Sequence, residues 1–271
     1  MATVTFVDTA NDGTLSADTQ YSTTPGAGDT IIVAAGTKDL TGDAQSLTNI
    51  PGIWQFRFGT GGCLARKIGT ATTAVTIEAS IQAEIQGNGY LQYVNLSAGT
   101  STSKVAILKI SNVPSAQLTA GAFDVIEAYN VGSLYIGAGV NFLTLRVAPG
   151  TNVFVEQESS GSKPSLVEVA KGASVRTKRS FANAAYCTNE GSIQFEGAAG
   201  TGNSSSVVWN SGIITGQSTG TLYGLNNKTG GEINANGATQ NQTWTVKSWA
   251  GSKLQRSATG IAITITETTV P

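Results

Sequence analysis

The sequence lacks histidine entirely, although it is 271 residues long. This absence removes the commonest general base, the serine–histidine–aspartate triad and histidine-rich metal sites from the possible chemistry. Charged residues are also scarce, at 12% of the chain with a formal net charge of −1, so the composition gives no electrostatic sign of binding to nucleic acid or to an acidic membrane. No apolar run approaches the roughly eighteen residues that a bilayer span requires. We therefore expect neither a nucleic acid nor a membrane among the partners.

Cysteine is nearly absent as well. Cys63 and Cys187 are far apart in sequence and lack the CxxC spacing of a metal or redox site, so both are predicted to be reduced core residues. The opening residues MATVTFVDTA contain neither the basic n-region nor the apolar h-region of a secretion signal. Synthesis in the cytoplasm is therefore expected.

Small and apolar residues dominate what the chain does contain. It has 33 glycines and 40% hydrophobic residues, and it lacks long amphipathic runs rich in leucine, glutamate and lysine. Such a composition differs both from helical proteins and from disordered chains, which combine low hydrophobicity with high charge. We predict an ordered all-β protein.

Strand and turn signals alternate most clearly from Ser133 to Gly150, which reads SLYIGAGVNFLTLRVAPG. Short runs with an apolar residue at every second position are separated by glycine or Pro-Gly, and the same pattern continues around Val153, Val167 and Val169. Alternation with a period of two indicates β-strands, and the glycines and prolines indicate turns. The spacing leaves no room for helices between the strands.

The succession of short strands favours stacked repeats over a sandwich. Two or three strands form a rung of about twenty to thirty residues, within the range of known stacked repeats. Asparagine, threonine, serine, alanine and glycine suit turns that stack on one another. Aromatic residues, at 7%, are few for the core of a sandwich. The predicted fold is a parallel β-helix, which is a β-solenoid, with a β-sandwich or jelly roll as the alternative.

Three segments are predicted along the chain. Residues 1–50 form an N-terminal cap and first rung, residues 51–237 form the body of the solenoid, and residues 238–271 form a C-terminal antiparallel hairpin or meander. The last segment is set apart by the longer and cleaner alternation of Thr243–Val246 and Ile261–Ile265. Since the end of a solenoid is an open sheet edge, this segment is expected to cover its own end or to add a strand to a neighbouring subunit.

One pair of carboxylates has a spacing suited to catalysis. Glu156 and Glu158 lie two residues apart on a predicted strand, which places them on one face about 6.5–7 Å apart, within the range of an inverting glycosidase. Glu168 on the next strand is the candidate third member. Solvent-facing carboxylates on an ordinary strand are the alternative explanation, and the tryptophans that would line a glycan groove are spread along the chain. No catalytic, cofactor-binding or metal-binding residue is therefore assigned, and we expect a protein that is not an enzyme, with glycan cleavage as the alternative.

Basic residues form one cluster, which follows Val169 and extends from Lys171 to Arg179. On a strand, Arg176 and Lys178 share a face, and Lys171 precedes them in a turn. A solvated face, a contact with an acidic protein surface and nucleic-acid binding remain as explanations, although the last lacks the interleaved aromatic residues that single-stranded nucleic acid needs. The predicted interface residues, from this cluster and from the C-terminal segment, are Lys171, Arg176, Lys178, Arg179, Trp244 and Trp249.

The N-terminal residues carry a family resemblance. FVDTANDGTLSADTQ, followed by PGAGDTIIVAAGT, resembles the start of right-handed parallel β-helices, in which an Asp-Gly turn and a capping segment precede a Gly-Asp-Thr-Ile first rung. The chain is also similar in style, without a diagnostic motif, to β-helical virion proteins of tailed bacteriophages.

This resemblance implies a structural virion protein that is made in the host cytoplasm and has no cofactor. The first expectation is a capsid decoration or cement protein that stabilises the phage head through contacts with the major capsid protein or other virion subunits. It would act as a homo-oligomer, most simply a trimer. A tail fibre or tailspike that binds or cleaves host surface glycan is one alternative, and a surface adhesin is another.

Overall fold

The computed structural model describes side chains in five ranges and at Val270; the ranges are residues 107–158, 163–201, 204–216, 221–234 and 244–255. Outside them it describes the backbone of further strands. The chain divides into two compact units, Met1–Phe142 (unit 1) and Leu143–Pro271 (unit 2).

Unit 1 is built from short strands. Those described are β1 (Thr3–Asp8), β2 (Thr14–Leu15), β3 (Thr19–Tyr21), β4 (Thr30–Gly36), β5 (Thr41–Gly42), β6 (Ile53–Phe58), β7 (Arg66–Ile68), β8 (Val75–Ile77), β9 (Gln82–Gly87), β10 (Leu91–Ala98), β11 (Val105–Ser111) and β12 (Ser115–Tyr129). The next strand, β13 (Ser133–Val147), begins in this unit.

Parallel pairing dominates unit 1. β1, β4, β6, β9, β11 and β12 follow one another as parallel neighbours. β10 pairs in parallel with β7, β8 and β12, and β1 also pairs antiparallel with β3. The long strand β12 belongs to both ladders, because residues 116–120 pair with β10 and residues 123–129 pair with β11. Consecutive turns of the chain are therefore stacked in unit 1.

Unit 2 begins with the end of β13 and continues in the same style. Its further strands are β14 (Asn152–Val155), β15 (Leu166–Val169), β16 (Ser174–Thr177), β17 (Tyr186–Asn189), β18 (Ser192–Gly197), β19 (Val207–Asn210), β20 (Ile213–Ser218), β21 (Leu225–Asn227), β22 (Glu232–Asn234), β23 (Gln242–Trp249), β24 (Lys253–Gln255) and β25 (Ile263–Val270).

Two parallel ladders build unit 2. The odd ladder consists of the end of β13 and the odd-numbered strands that follow it, and the even ladder consists of β14 and the later even-numbered strands. Each rung gives one strand to each ladder through a short connection, such as Glu190-Gly191 between β17 and β18. The predicted all-β parallel solenoid is confirmed, and the sandwich alternative is not what the chain forms.

The core of unit 2 consists of side chains stacked at the same strand position in consecutive rungs, each at most 3% exposed. On the odd ladder the column is Leu145, Val167, Cys187, Val208, Leu225 and Val246. On the even ladder it is Val153, Val175, Ile193, Ile214 and Ile233. Burial of such a side chain stabilises the fold by about 1.5–3 kcal/mol. A slip of one residue would turn the column outward, so burial also fixes the register.

Cys187 lies in the odd column as a free, buried thiol. Burial raises the pKa of this thiol, and the negative charge of Glu168 raises it further, so the neutral form is favoured. The prediction of a reduced core residue is confirmed for Cys187, whereas Cys63 lies outside the residues whose structure is described.

A polar column runs beside the aliphatic one on the odd ladder. Asn189, Asn210 and Asn227 are at most 1% exposed and occupy the same position in three consecutive rungs. Asn189 Nδ2 donates to Asn210 Oδ1 at 2.7 Å, and Asn210 Nδ2 donates to Asn227 Oδ1 at 2.8 Å. The last amide donates to the carbonyl of Lys253 at 2.9 Å. These three residues form an asparagine ladder, in which each side-chain amide donates to the next acceptor, while Asn189 Oδ1 accepts no hydrogen bond from the described residues.

The C-terminal segment differs from its prediction. β23 and β25 pair in parallel, with Gln242 opposite Ile263 and Trp249 opposite Val270. The reason is that β24 lies between them in sequence and pairs with β22, so it completes a further rung. A strand that follows a complete rung returns in the same direction as its predecessor. The predicted antiparallel hairpin or meander is therefore wrong, because these strands continue the solenoid.

Candidate functional site

Glu156 and Glu158, the carboxylates with catalytic spacing, each face a cation. Glu156 Oε1 lies 3.3 Å from Lys178 Nζ, and Glu158 Oε2 lies 3.8 Å from Arg179 Nε. Both carboxylates come after the end of β14, so they do not share the face of a strand as the spacing suggested. A glycosidase needs one carboxyl group free to give a proton and another free to activate water or bind carbon. Glu158 Oε1 also lies 4.0 Å from Lys163 Nζ, although its Oε2 accepts no hydrogen bond from the described residues. Cations beside both carboxylates do not favour that chemistry.

Glu168 is paired elsewhere. Arg146 Nε donates to Glu168 Oε2 at 2.6 Å, between neighbouring rungs of the odd ladder. On the even ladder, Arg176 Nη2 lies 2.8 Å from Glu196 Oε1. The two partners of the first pair are 43% and 42% exposed, so the pair contributes about 0–1 kcal/mol. Glu168 and Glu196 therefore each link two neighbouring rungs. Glu168 pairs with a different cation from those that pair with Glu156 and Glu158.

The basic cluster has three members at the surface and one, Arg179, in the core. Lys171 is exposed in the turn between β15 and β16. The charged groups of Arg176 and Lys178 both lie over the ring of Phe154, at 5.3 and 5.4 Å from its centroid, so they share a face as predicted. Arg179 is fully buried. An interface role for the three surface members stays a prediction.

Arg179 makes its contacts inside its own chain. Its Nε donates to the carbonyl of Glu156 at 3.2 Å, and its backbone N–H and C=O both bond the hydroxyl of Thr177. Burial lowers the pKa of Arg179, while the charges of Glu158 and Glu156 raise it. A buried cation depends on its partners, and removing one is costly. Arg179 is therefore a structural residue, and its side chain is not part of the surface that a partner can reach.

Trp244 and Trp249, both on β23, have different surroundings. Trp244 is fully buried and packs over Gly216, where an added Cβ would overlap the indole ring. Gly216 occupies the position that Phe195 has in the preceding rung, so the indole fills the space of a missing side chain. Trp249 is half-buried. The structure makes Trp244 a core residue, and an interface role stays a prediction for Trp249 alone.

Trp249 belongs to an aromatic clamp, which we define as Trp209, Lys228 and Trp249. Lys228 Nζ lies 4.3 Å from the centroid of the Trp209 ring and 4.4 Å from that of Trp249. The two ring centroids are 5.9 Å apart, at an interplanar angle of 56°. An ammonium group over the face of an indole is attracted by the π electrons of the ring. The clamp was not predicted from the sequence. Its members lie in three different rungs and become neighbours only through the pairing of β19, β21 and β23.

Replacing Lys228 by methionine is expected to lower the free energy of unfolding by about 1 kcal/mol, because methionine keeps much of the apolar stem and removes the charge. Urea denaturation followed by tryptophan fluorescence measures the change. Lys171→Met is the matched control, since Lys171 is an exposed lysine in the equivalent turn between β15 and β16. Equal losses in the two variants would contradict a specific role for the clamp.

An apolar strip lies on the outward face of the odd ladder and consists of Leu166, Tyr186 and Val207. These residues are register neighbours in three consecutive rungs. Tyr186 is 46% exposed and Val207 is 36% exposed. Neighbouring strands in a sheet lie about 4.8 Å apart, so the three side chains form a continuous surface. Contiguous apolar surface is one form that interaction sites take on soluble proteins.

Other kinds of site receive little support in the described ranges. Within them, no three or more cysteine, aspartate or glutamate side chains are grouped so that they could hold a metal ion. No helix in the part of the chain that the structure describes has the length and apolarity to span a bilayer. Comparison of the chain with protein-family models, with curated proteins and with solved structures gives no match. The surface of the solenoid itself is therefore the basis for assigning a function.

Proposed function

We propose that the chain is a structural virion protein that decorates a bacteriophage capsid and stabilises the head through contacts with the major capsid protein. The observation that carries this proposal is the apolar strip. Aromatic and apolar side chains dominate the centres of protein interfaces, and tyrosine is enriched there. Tyr186 lies between two parallel neighbours of the odd ladder, so its backbone is already ordered and little conformational entropy is lost on binding.

The residues beside the strip support the same proposal. Glu168 follows Leu166 by two positions on the outward face of β15 and pairs with Arg146. Beside Leu166 and Tyr186 the neighbouring positions are therefore polar, Glu168 and Thr188, which matches the polar rim that surrounds the apolar centre of protein interfaces. The pairing of Glu156 and Glu158 with cations favours this structural role over a glycan-cleaving tailspike.

Cosedimentation of the purified chain with shells of the phage that encodes it tests the proposal. The wild-type chain is expected to pellet with the shells to a saturable stoichiometry and to raise the temperature at which they disrupt. Tyr186→Ser is expected to weaken binding at least tenfold, which corresponds to about 1.4 kcal/mol, because it removes the aromatic centre of the strip. Ile213→Ser removes an apolar side chain of similar exposure, 44%, from the even ladder and is expected to bind as the wild type does.

Fractionation of intact virions into heads and tails is the experiment that can contradict the capsid assignment. If the chain travels with tails and is missing from purified heads, the capsid assignment is overturned in favour of the tail-fibre alternative. If Tyr186→Ser and Ile213→Ser bind shells equally well, the strip is not the contact surface. We also propose a trimeric state, which predicts a native mass of three chains by light scattering.

A further inference from the structure

A groove of about 470 Å³ opens on the outward face of the odd ladder, at the level of β21. Val207 and Trp209 of β19 line one side, and Thr245 and Lys247 of β23 line the other. Asn226 of β21 lies between them, because it is the register neighbour of both Trp209 and Lys247. The groove therefore spans three consecutive rungs of unit 2.

The groove lies at the shortest of the rungs joined by the asparagine ladder, the one that ends in β21. Only 17 residues separate Asn210 from Asn227, whereas 21 separate Asn189 from Asn210. All three residues of β21 are buried, including Asn226, although its neighbours in the adjoining strands face outward. A small buried side chain between two rungs with longer outward side chains leaves a trough in the sheet surface.

Polar groups and aromatic rings line this trough together. Ser204, Ser205 and Thr245 supply hydroxyl groups, and Trp209 and Tyr223 supply rings. Lys247 is the one lining residue, among those that the structure describes, that is charged at neutral pH. A concave site with apolar surface and a few convergent polar groups is the usual form of a small-ligand site.

Ser206 is a buried residue in the wall of the groove. This lining residue is 2% exposed, and none of the described residues forms a hydrogen bond with its Oγ. Buried hydroxyl groups nearly always have a hydrogen-bond partner. The Ser206 Oγ is closed off from solvent, so the hydroxyls that a ligand in the groove can reach are those of Ser204, Ser205 and Thr245, which are exposed.

We infer that the groove binds an acidic oligosaccharide, a chain of sugar units that carry carboxylates. The apolar face of a sugar ring packs on Trp209 or Tyr223, its hydroxyls bond the exposed side chains of Ser204, Ser205 and Thr245, and its carboxylate pairs with Lys247.

An extended peptide fits the groove less well than a sugar chain does. β21 is hydrogen-bonded on one side to β19 and on the other to β23, so its backbone has no free edge for an added strand. Recognition must therefore come from side chains, which here are mostly hydroxyls and rings. The described lining residues include no carboxylate pair, so the ligand is bound without being cleaved.

Calorimetric titration of the full chain with tetragalacturonate tests this inference. Saturable binding is expected, and it should weaken as salt is added, because Lys247 is exposed and its attraction is screened. Lys247→Gln is expected to weaken binding at least tenfold. Lys253→Gln, which removes an exposed charge from the even ladder, is expected to leave it unchanged. Maltotetraose, a neutral probe of equal length, should bind more weakly than the acidic one.

Three outcomes would overturn the inference. These are a lack of saturable binding, equal effects of Lys247→Gln and Lys253→Gln, and displacement of the sugar by a short polyglutamate at equal concentration, which would indicate a site for acidic peptides. Circular dichroism of both variants establishes that their fold is intact. Val207 belongs to both the apolar strip and the groove, but Tyr186 lines only the strip and Lys247 only the groove, so Tyr186→Ser and Lys247→Gln test the two proposals separately.

Discussion

Replacing Asn210 by leucine is expected to lower the free energy of unfolding by about 3 kcal/mol. Leucine has nearly the same size, so the loss comes from hydrogen bonds and not from a cavity. Asn227 Oδ1 loses the amide that donates to it at 2.8 Å, and the carbonyl of Glu232 loses a donor at 3.1 Å. Each buried polar group left without a partner costs about 1–3 kcal/mol. Urea denaturation followed by far-ultraviolet circular dichroism measures the difference.

Asn234→Leu is the matched control for this substitution. Asn234 lies on the even ladder, where its Nδ2 donates to Gln255 Oε1 at 3.2 Å in an exposed pair. Water replaces that hydrogen bond when it is lost, so the variant is expected to stay within about 0.5 kcal/mol of the wild type. If both substitutions have the same small effect, the asparagine ladder does not stabilise the core of unit 2.

The largest loss is expected for Gly224→Ala, which should destabilise unit 2 by more than about 4 kcal/mol. An added Cβ would overlap the carbonyl oxygen of Ser206, which is backbone and cannot swing aside. Gly224 also has a φ of +63°, a conformation that costs an L-residue about 1–2 kcal/mol. The melting temperature and the yield of soluble protein are the measurements.

Gly172→Ala is the control that separates the steric overlap of the added Cβ from the unfavourable positive φ. Gly172 has a similar φ, +79°, but an added Cβ there would meet no atom within 4 Å. Its replacement should therefore cost only the conformational term, about 1–2 kcal/mol. A loss in Gly224→Ala that is no larger than in Gly172→Ala would show that the close approach to Ser206 is not a real constraint.

The strands of unit 2 were predictable because burial follows a period of two. Val153 and Val155 of β14 and Val167 and Val169 of β15 are all buried, as the alternation indicates. The pairing partners were not predictable, because the rungs differ in length by several residues and no fixed repeat can be read from the chain. For the same reason the asparagine ladder could not be found, since its members become neighbours only when each rung length is known.

The surface role of the basic cluster was only partly predictable. Alternation placed Arg176 and Lys178 on one face, and the structure has both over Phe154. Arg179 continues the alternation beyond the end of β16 and lies on the inward side with Val175 and Thr177, where a charged residue is not expected, and the Thr177 hydroxyl bonds its backbone N–H and C=O. Side-chain to backbone hydrogen bonds of this kind compete with regular strand geometry, and a hydropathy pattern does not report them.

The links between the strands of unit 2 differ in how freely they can vary. Within a rung the link is as short as Glu190-Gly191, and an added Cβ at Gly191 would overlap carbonyl oxygens of the rung before it. Between rungs the links are longer, as in residues 178–185 between β16 and β17. Since each rung bonds only to its neighbours, a longer link there leaves both ladders intact. The links within a rung range only from two residues, at Glu190-Gly191, to four, at residues 170–173, so one flank of unit 2 is free to lengthen while the opposite flank stays within narrow limits of length.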